Sequence, residues 1–194
     1  MKWIVNLKNK QDKEIQFVLD YCKDWLSKFD TRKLDVVRID NGRHDYHTFY
    51  GRCHYPKKGK RNYIVSCQIN ENIKFPFKRQ QRRTPIYFMK SGVEVEGAYK
   101  LAEELQANPK FELGAHCIAN GCNGGETKWV RVYEYETYDS FDECIAAIFG
   151  HEISHFLVKT RQVKGVRHDE IQIDKLEDEF LKQYKKYKYN KIYK

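Results

Sequence analysis

The sequence predicts an α+β protein. Three observations carry that expectation: apolar residues recur at helical spacing near both ends of the chain and around residue 150, short β-rich runs between them alternate with period two, and the turn clusters join strands as hairpins rather than as regular strand–helix–strand units. The 194 residues, 41% apolar and with 28 Tyr, Phe and Trp, suffice for a core and exclude a disordered chain. No apolar run approaches the roughly 20 residues of a membrane span. Residues 1–10 alternate charge with short apolar pieces and lack the apolar centre of a secretory signal. A cytoplasmic protein with no membrane partner is therefore expected.

Ile15, Val18, Leu19, Cys22, Leu26 and Phe29 mark one stripe of a helix over 12–29, with Trp25 beside it. Residues 34–40 read as a strand. A polar stretch containing His44 and His47 follows and reads as loop. The run 63–69 is β-rich and is preceded by the basic turn cluster 56–62, so a hairpin with a basic tip is expected. Residues 74–85, with Pro76 and Pro85, read as loop, and 86–89 as a short strand. Residues 96–108 read as a helix stopped by Pro109. A strand over 111–118, a glycine-rich turn and a well-alternating strand over 127–136 come next. Ser140 and Glu143 form a capping box that opens a helix to about Lys159. Asp169 is placed to cap a last helix bearing Ile173, Leu176, Phe180 and Tyr184, with the lysine- and tyrosine-rich end 185–194 fraying.

The net charge of +9 is unevenly placed. Residues 41–90 hold 12 Lys and Arg against 2 acids, and 180–194 hold 6 Lys and no acid. A basic face on an otherwise acidic body points to a polyanion, so DNA is a candidate partner and Lys78, Arg79, Arg82 and Arg83 are candidate contacts. Tyr184, Tyr187, Tyr189 and Tyr193, interleaved with lysine, are candidates for stacking on bases. Six cysteines without a secretory signal argue for reduced thiols. Cys117 and Cys122, with His116 alongside, are a candidate pair for a second metal site. Cys53 and Cys67 are candidate partners if a hairpin joins them.

The helix near residue 150 carries His151, Glu152 and His155 in the pattern His-Glu-x-x-His. Chance supplies about 0.02 such matches in a chain of this composition, so the pattern is informative. Residues four apart share a helix face, so both imidazoles can reach one metal ion, and neutral imidazole is a good zinc ligand. Glu152 is turned about 100° away and can instead reach a water on the metal's open side. Zinc acidifies such a water, and Glu152 as general base takes its proton for attack on a peptide carbonyl. A catalytic zinc needs a third protein ligand. His168 is the preferred candidate, because a nitrogen ligand needs no further charge compensation. Asp169, Glu170 and Asp174 are its competitors, and a thermolysin-like site would draw an acid from near Asp174 or Glu177.

This motif, followed by a histidine at this distance, resembles the SprT-like zinc metalloproteases, the family that includes Spartan. The resemblance covers residues 12–70 and 128–185. It implies a zincin-like core made of an N-terminal helix, a β-hairpin sheet, an active-site helix and a C-terminal helix. It implies one catalytic Zn2+ held by His151, His155 and His168, with Glu152 as catalytic acid/base. It further implies a protein substrate bound in extended conformation along a strand beside the site, with 63–69 the candidate, and proteolysis of DNA-associated proteins. In these terms the chain is a single domain over 1–194. Residues 74–127 are an insert without counterpart in the family, and 185–194 are a basic tail. Two alternatives remain: a non-catalytic nucleic-acid-binding zinc module, and a zincin of another clan with an acidic third ligand.

Overall fold

The protein is described here from a computed structural model, which covers residues 1–42, 49–57, 62–120 and 124–192, with the backbone alone at 49, 81–83 and 192. His44, His47, Cys122, Tyr193 and the side chains of Arg82 and Arg83 lie outside the described residues. Among the described residues the fold mixes four helices with two four-stranded sheets, and it divides into two compact units, Met1–Phe75 with Asp139–Lys194, and Pro76–Tyr138. No helix among the described residues is long and apolar enough to cross a membrane.

In the first unit β1 (Lys2–Asn6) leads into α1 (Lys13–Leu26), then β2 (Leu34–Asn41), β3 (Phe49–His54) and β4 (Tyr63–Ile69). The Asp12 carboxylate caps α1 by accepting from the Glu14 N–H at 2.8 Å. The helix stops at Leu26 rather than running to 29, and Phe29 turns back so that its ring lies 4.7 Å from that of Trp25. β1 is not legible in the sequence, since three apolar residues are too few to show alternation. It pairs parallel to β2 and sends Trp3 against Phe149. The sheet order is β1-β2-β4-β3, with β2 and β4 parallel and β3 antiparallel to β4. The expected hairpin therefore forms. The strand expected to pair with a substrate, 63–69, is interior with a neighbour on each side; β3 is the edge strand beside it.

Val37, Ile39, Val65, Cys67 and Ile69 are fully buried and alternate with residues on the sheet's other face. The buried face is covered by α3 (Phe141–Lys159), which packs on β3 and β4 and is apolar nearly all round, as a central helix must be. Ser140 occupies the N-cap of α3, but the capping box is shifted by one residue: Glu143 accepts from the Asp139 N–H at 3.1 Å. The α3 residue Asp142 is buried and takes hydrogen bonds from the Tyr184 hydroxyl and, at 2.7 Å, from Lys188.

The last helix, α4 (Glu170–Ile192), is capped by Asp169, whose carboxylate accepts from the Gln172 N–H at 3.0 Å. It does not fray at 185. The Tyr184 and Tyr187 rings dock on Tyr21 of α1, at 5.2 and 4.9 Å, and this apolar anchorage carries the helix through its lysines. The two tyrosines thus serve packing; Tyr184 is fully buried, and Tyr189 is exposed. Phe180 joins α4 to both other helices, its ring 5.6 Å from Phe149, 4.8 Å from Trp25 and 5.5 Å from Tyr21. It fills the space over Gly150, where an added Cβ would stand 2.8 Å from the ring. Phe180→Ala is expected to lower stability by about 3–5 kcal/mol in urea unfolding, because both a large transfer term and a cavity are involved.

The second unit runs β5 (Phe77–Lys90), β6 (Val93–Glu94), α2 (Ala98–Gln106), β7 (Phe111–Asn120) and β8 (Glu126–Tyr138), with sheet order β6-β5-β8-β7, all antiparallel. Ile86, Phe88, Val130 and Val132 form its core with Ala98 and Ala102 of α2. Residues 77–85, expected as loop, belong to β5. Proline is tolerated there because β6 pairs only with Met89 and Lys90, so at Pro85 the strand has a single neighbour and needs no second donor. The strand expected at 127–136 is part of this unit as β8 and does not group with α3.

Candidate metal centre

α3 supplies His151, Glu152 and His155, all on its middle turns. Nε2 of His151 and Nε2 of His155 lie 3.2 Å apart. Two nitrogens each about 2.1 Å from a tetrahedral ion stand about 3.4 Å apart, so the pair is spaced as ligands of one cation are. Glu170, at the start of α4, brings Oε2 to 3.4 Å from the first nitrogen and 3.8 Å from the second. His151, His155 and Glu170 thus form one group of donors within 4.8 Å of one another, and His151, Asp174 and Glu177 form another.

His168 also reaches this cluster, but on its far side. Its Nε2 meets Nδ1 of His155 at 3.0 Å and the Tyr55 hydroxyl at 3.0 Å. Burial above all, reinforced by His151, His168 and Lys159, pulls His155 down to about 4, and burial with Lys159 lowers His168. Both rings are therefore neutral at neutral pH, the state in which imidazole binds a metal. Nearby carboxylates and neutral imidazoles suit a divalent ion of borderline softness, and zinc fits this donor set.

The second group explains how His151 is held. Its Nδ1 lies 2.8 Å from Glu177 Oε2 and 3.5 Å from Asp174 Oδ1, and Glu177 is 1% exposed. With the Nδ1 proton donated to Glu177, Nε2 keeps its lone pair for the cation. Glu170, Asp174 and Glu177 follow one another at i, i+4 and i+7, a row on one face of α4. That spacing is the sequence signal for Glu177. Glu177→Ala is expected to weaken zinc binding by about 10–100-fold in a chelator competition, with Glu177→Gln recovering most of the loss through its acceptor oxygen.

Glu152 is 6% exposed and turns toward β3, where its carboxylate accepts a hydrogen bond from the Cys53 N–H. Burial pushes it up to about 7, although His151 and the Cys53 N–H act in the opposite direction. β3 approaches closely because Gly51 has no side chain; a Cβ there would stand 2.7 Å from Glu152 Cδ. Neither Gly51 nor Tyr55 is marked by the sequence, since both depend on how the hairpin meets α3. Burial, with the nearby Cys53, Glu152 and Glu170, pushes the Tyr55 hydroxyl up to about 12, so it remains a proton donor.

The other candidates lie elsewhere. Cys53 and Cys67 are free and buried; they sit opposite Val65 and Gly51 rather than opposite each other, and burial raises both thiols. His116 and Cys117 pair with successive residues of β8, Val130 and Trp129, so they project to opposite faces of the sheet. Cys117 donates to the Ala115 carbonyl at 3.7 Å. Lys78 is exposed on β5, its Nζ 6.0 Å from the Tyr135 ring, and Arg79 faces Glu136 in the register. Arg82 and Arg83 are opposite Glu134 and Tyr133 by backbone pairing.

No family model, no curated protein and no solved structure matches the chain.

Proposed function

We propose that the protein is a zinc-dependent endopeptidase with a zincin-like core of the SprT-like kind. The observation that carries this reading is the meeting of the His151 and His155 Nε2 atoms at 3.2 Å, one residue away from a buried glutamate that faces an edge strand. His151 and His155 would hold the ion, with a third donor from the segment that opens α4. His168 is that donor in the first reading, which requires its Nε2 to leave the Tyr55 hydroxyl and His155 Nδ1 and turn to the ion. Glu170 is favoured in a second reading by its 3.4 and 3.8 Å separations from the two Nε2 atoms, which would make the acidic-ligand type of zincin.

A bound zinc would acidify a water and polarise a carbonyl. The remaining chemistry falls to this chain. Glu152, poised near neutrality by burial, takes a proton on its carboxylate from the attacking water and returns it to the leaving amine. Tyr55 keeps its proton and can donate to negative charge that develops near His168. β3, as an edge strand, can offer backbone groups to an extended peptide, and a chain in strand conformation is the substrate this reading assigns. DNA is a second partner in this reading, through the basic residues of β5, and its binding should then weaken steeply with salt.

Zinc content of the purified protein tests the assignment. His151→Ala should lose the ion. Loss in His168→Ala with retention in Glu170→Ala selects the first reading; the reverse selects the second. Full zinc retention in His151→Ala would overturn both.

A further inference from the structure

We propose that the open face of the β1–β4 sheet carries an anion subsite that takes the carboxylate of an acidic residue in an extended peptide lying along β3. The inference rests on the endopeptidase reading for its occupant, though not for its geometry. A cleft of about 330 Å3 opens on this face, lined among others by Val36, Arg38, His54, Tyr55, Lys57 and Ile64. Its described lining includes two permanent cations and no carboxylate. Arg38 Nε forms an ion pair with Asp40 Oδ2 at 3.8 Å, too long for a hydrogen bond, and half of the Arg38 side chain stays exposed, so a ligand carboxylate can share the guanidinium. Ile64 is 39% exposed, so the floor is apolar and open. Basic walls over an apolar floor suit the short alkyl stem and charged end of Glu or Asp.

The register says which peptide residues would enter. Along β3, Gly51 and Cys53 face α3 and Glu152, whereas Arg52 and His54 face the other way. Arg52 continues across the sheet to Ser66 and Arg38, and His54 to Ile64 and Val36. The register places Arg52, Arg38 and His54 on one face of the sheet, and burial with the two guanidinium groups lowers His54. A peptide added at the β3 edge alternates in step, so every second side chain lies beside this basic row while its neighbours face Glu152. Tyr55 both lines the cleft and meets His168, so the cleft adjoins the candidate metal centre.

The test is a set of otherwise neutral, unstructured decapeptides with a single Glu moved along the sequence. Binding is read by fluorescence anisotropy on Glu152→Gln protein, and cleavage on the parent. Glu should strengthen binding about three- to fivefold at alternate positions only, the scale of exposed ion pairs. The gain should shrink in 0.5 M salt and vanish in the Arg38→Gln, Arg52→Gln, Lys57→Gln triple variant, which should still cleave the all-neutral peptide. Equal binding for every Glu position, a preference without two-residue period, a preference that survives the triple variant, or no binding of any peptide would overturn the subsite. Alternating preference in a protein that binds no zinc and cleaves nothing would refute the endopeptidase reading and leave the subsite standing.

Discussion

Glu152→Gln is expected to keep its zinc and to lose peptide cleavage by about 10²–10⁴-fold or more, the scale of a missing general base. The amide matches the carboxylate in shape and still accepts from the Cys53 N–H, so the surroundings should not move. Retained cleavage would refute the mechanism. The same substitution has a consequence for the metal-free protein. The fold raises the Glu152 carboxyl from 4.5 to about 7, so the charged form is disfavoured in the native state. The stability this group contributes is full below pH 4.5 and is lost as pH rises through about 7. Glutamine has no such loss, so with chelator present Glu152→Gln should exceed the parent by about 3 kcal/mol at pH 8 and match it at pH 4. His155 acts in the other direction. Its folded value of about 4 lies below the ordinary 6.5, so its contribution is present above pH 6.5 and is lost as pH falls toward 4. The variant should therefore still weaken in acid. Urea unfolding of both proteins across pH 4–8 measures the two slopes separately.

Gly51→Ala is the second large effect. The added methyl group would stand 2.7 Å from Glu152 Cδ, so either the carboxylate or the edge strand must give way. Glu152 is buried and held by the adjacent backbone, which leaves it little room to do so within its present site. A displacement of about 1 Å at a proton-transfer group costs on the order of 100-fold in kcat/KM. Zinc content should be unchanged, because the atoms nearest the new methyl all belong to Glu152. Wild-type kcat/KM in this variant would show that Glu152 does not act from the position described. Loss of zinc would show that β3 positions the histidines as well.

The sequence discloses α1, β8 and the body of α4, where burial of one face imposes a clean period, and α3, whose length, cap and nearly unbroken apolar run mark a central helix. It also discloses the chemistry at His151, Glu152 and His155, whose four-residue spacing fixes their common face whatever else the chain does. It does not disclose β1, which is recognisable only by the neighbour it pairs with. Residues 77–85 look like loop because Pro76 before them, Pro85 at their end and a run of basic side chains obscure a strand that is made by β8. The lysines of 185–191 look like a fraying end because the rings that anchor them belong to another helix. Gly51, Tyr55 and Cys53 join the candidate site only through the way the hairpin meets α3, a long-range relation with no local mark. Glu177 differs from these, since its row with Glu170 and Asp174 is written in helical spacing and is legible once α4 is placed.

The division of the first unit between Met1–Phe75 and Asp139–Lys194 has a consequence for biosynthesis. A ribosome delivers the sheet strands early, yet Val37, Ile39, Val65 and Cys67 wait for α3, which emerges only after the whole intervening segment. That segment brings its own apolar interior and can fold while the earlier strands remain uncovered. His151, Glu152 and His155 arrive on the very helix that closes the remaining core, and α4 follows last. A nascent chain therefore holds no assembled donor cluster until α3 and α4 have left the exit tunnel.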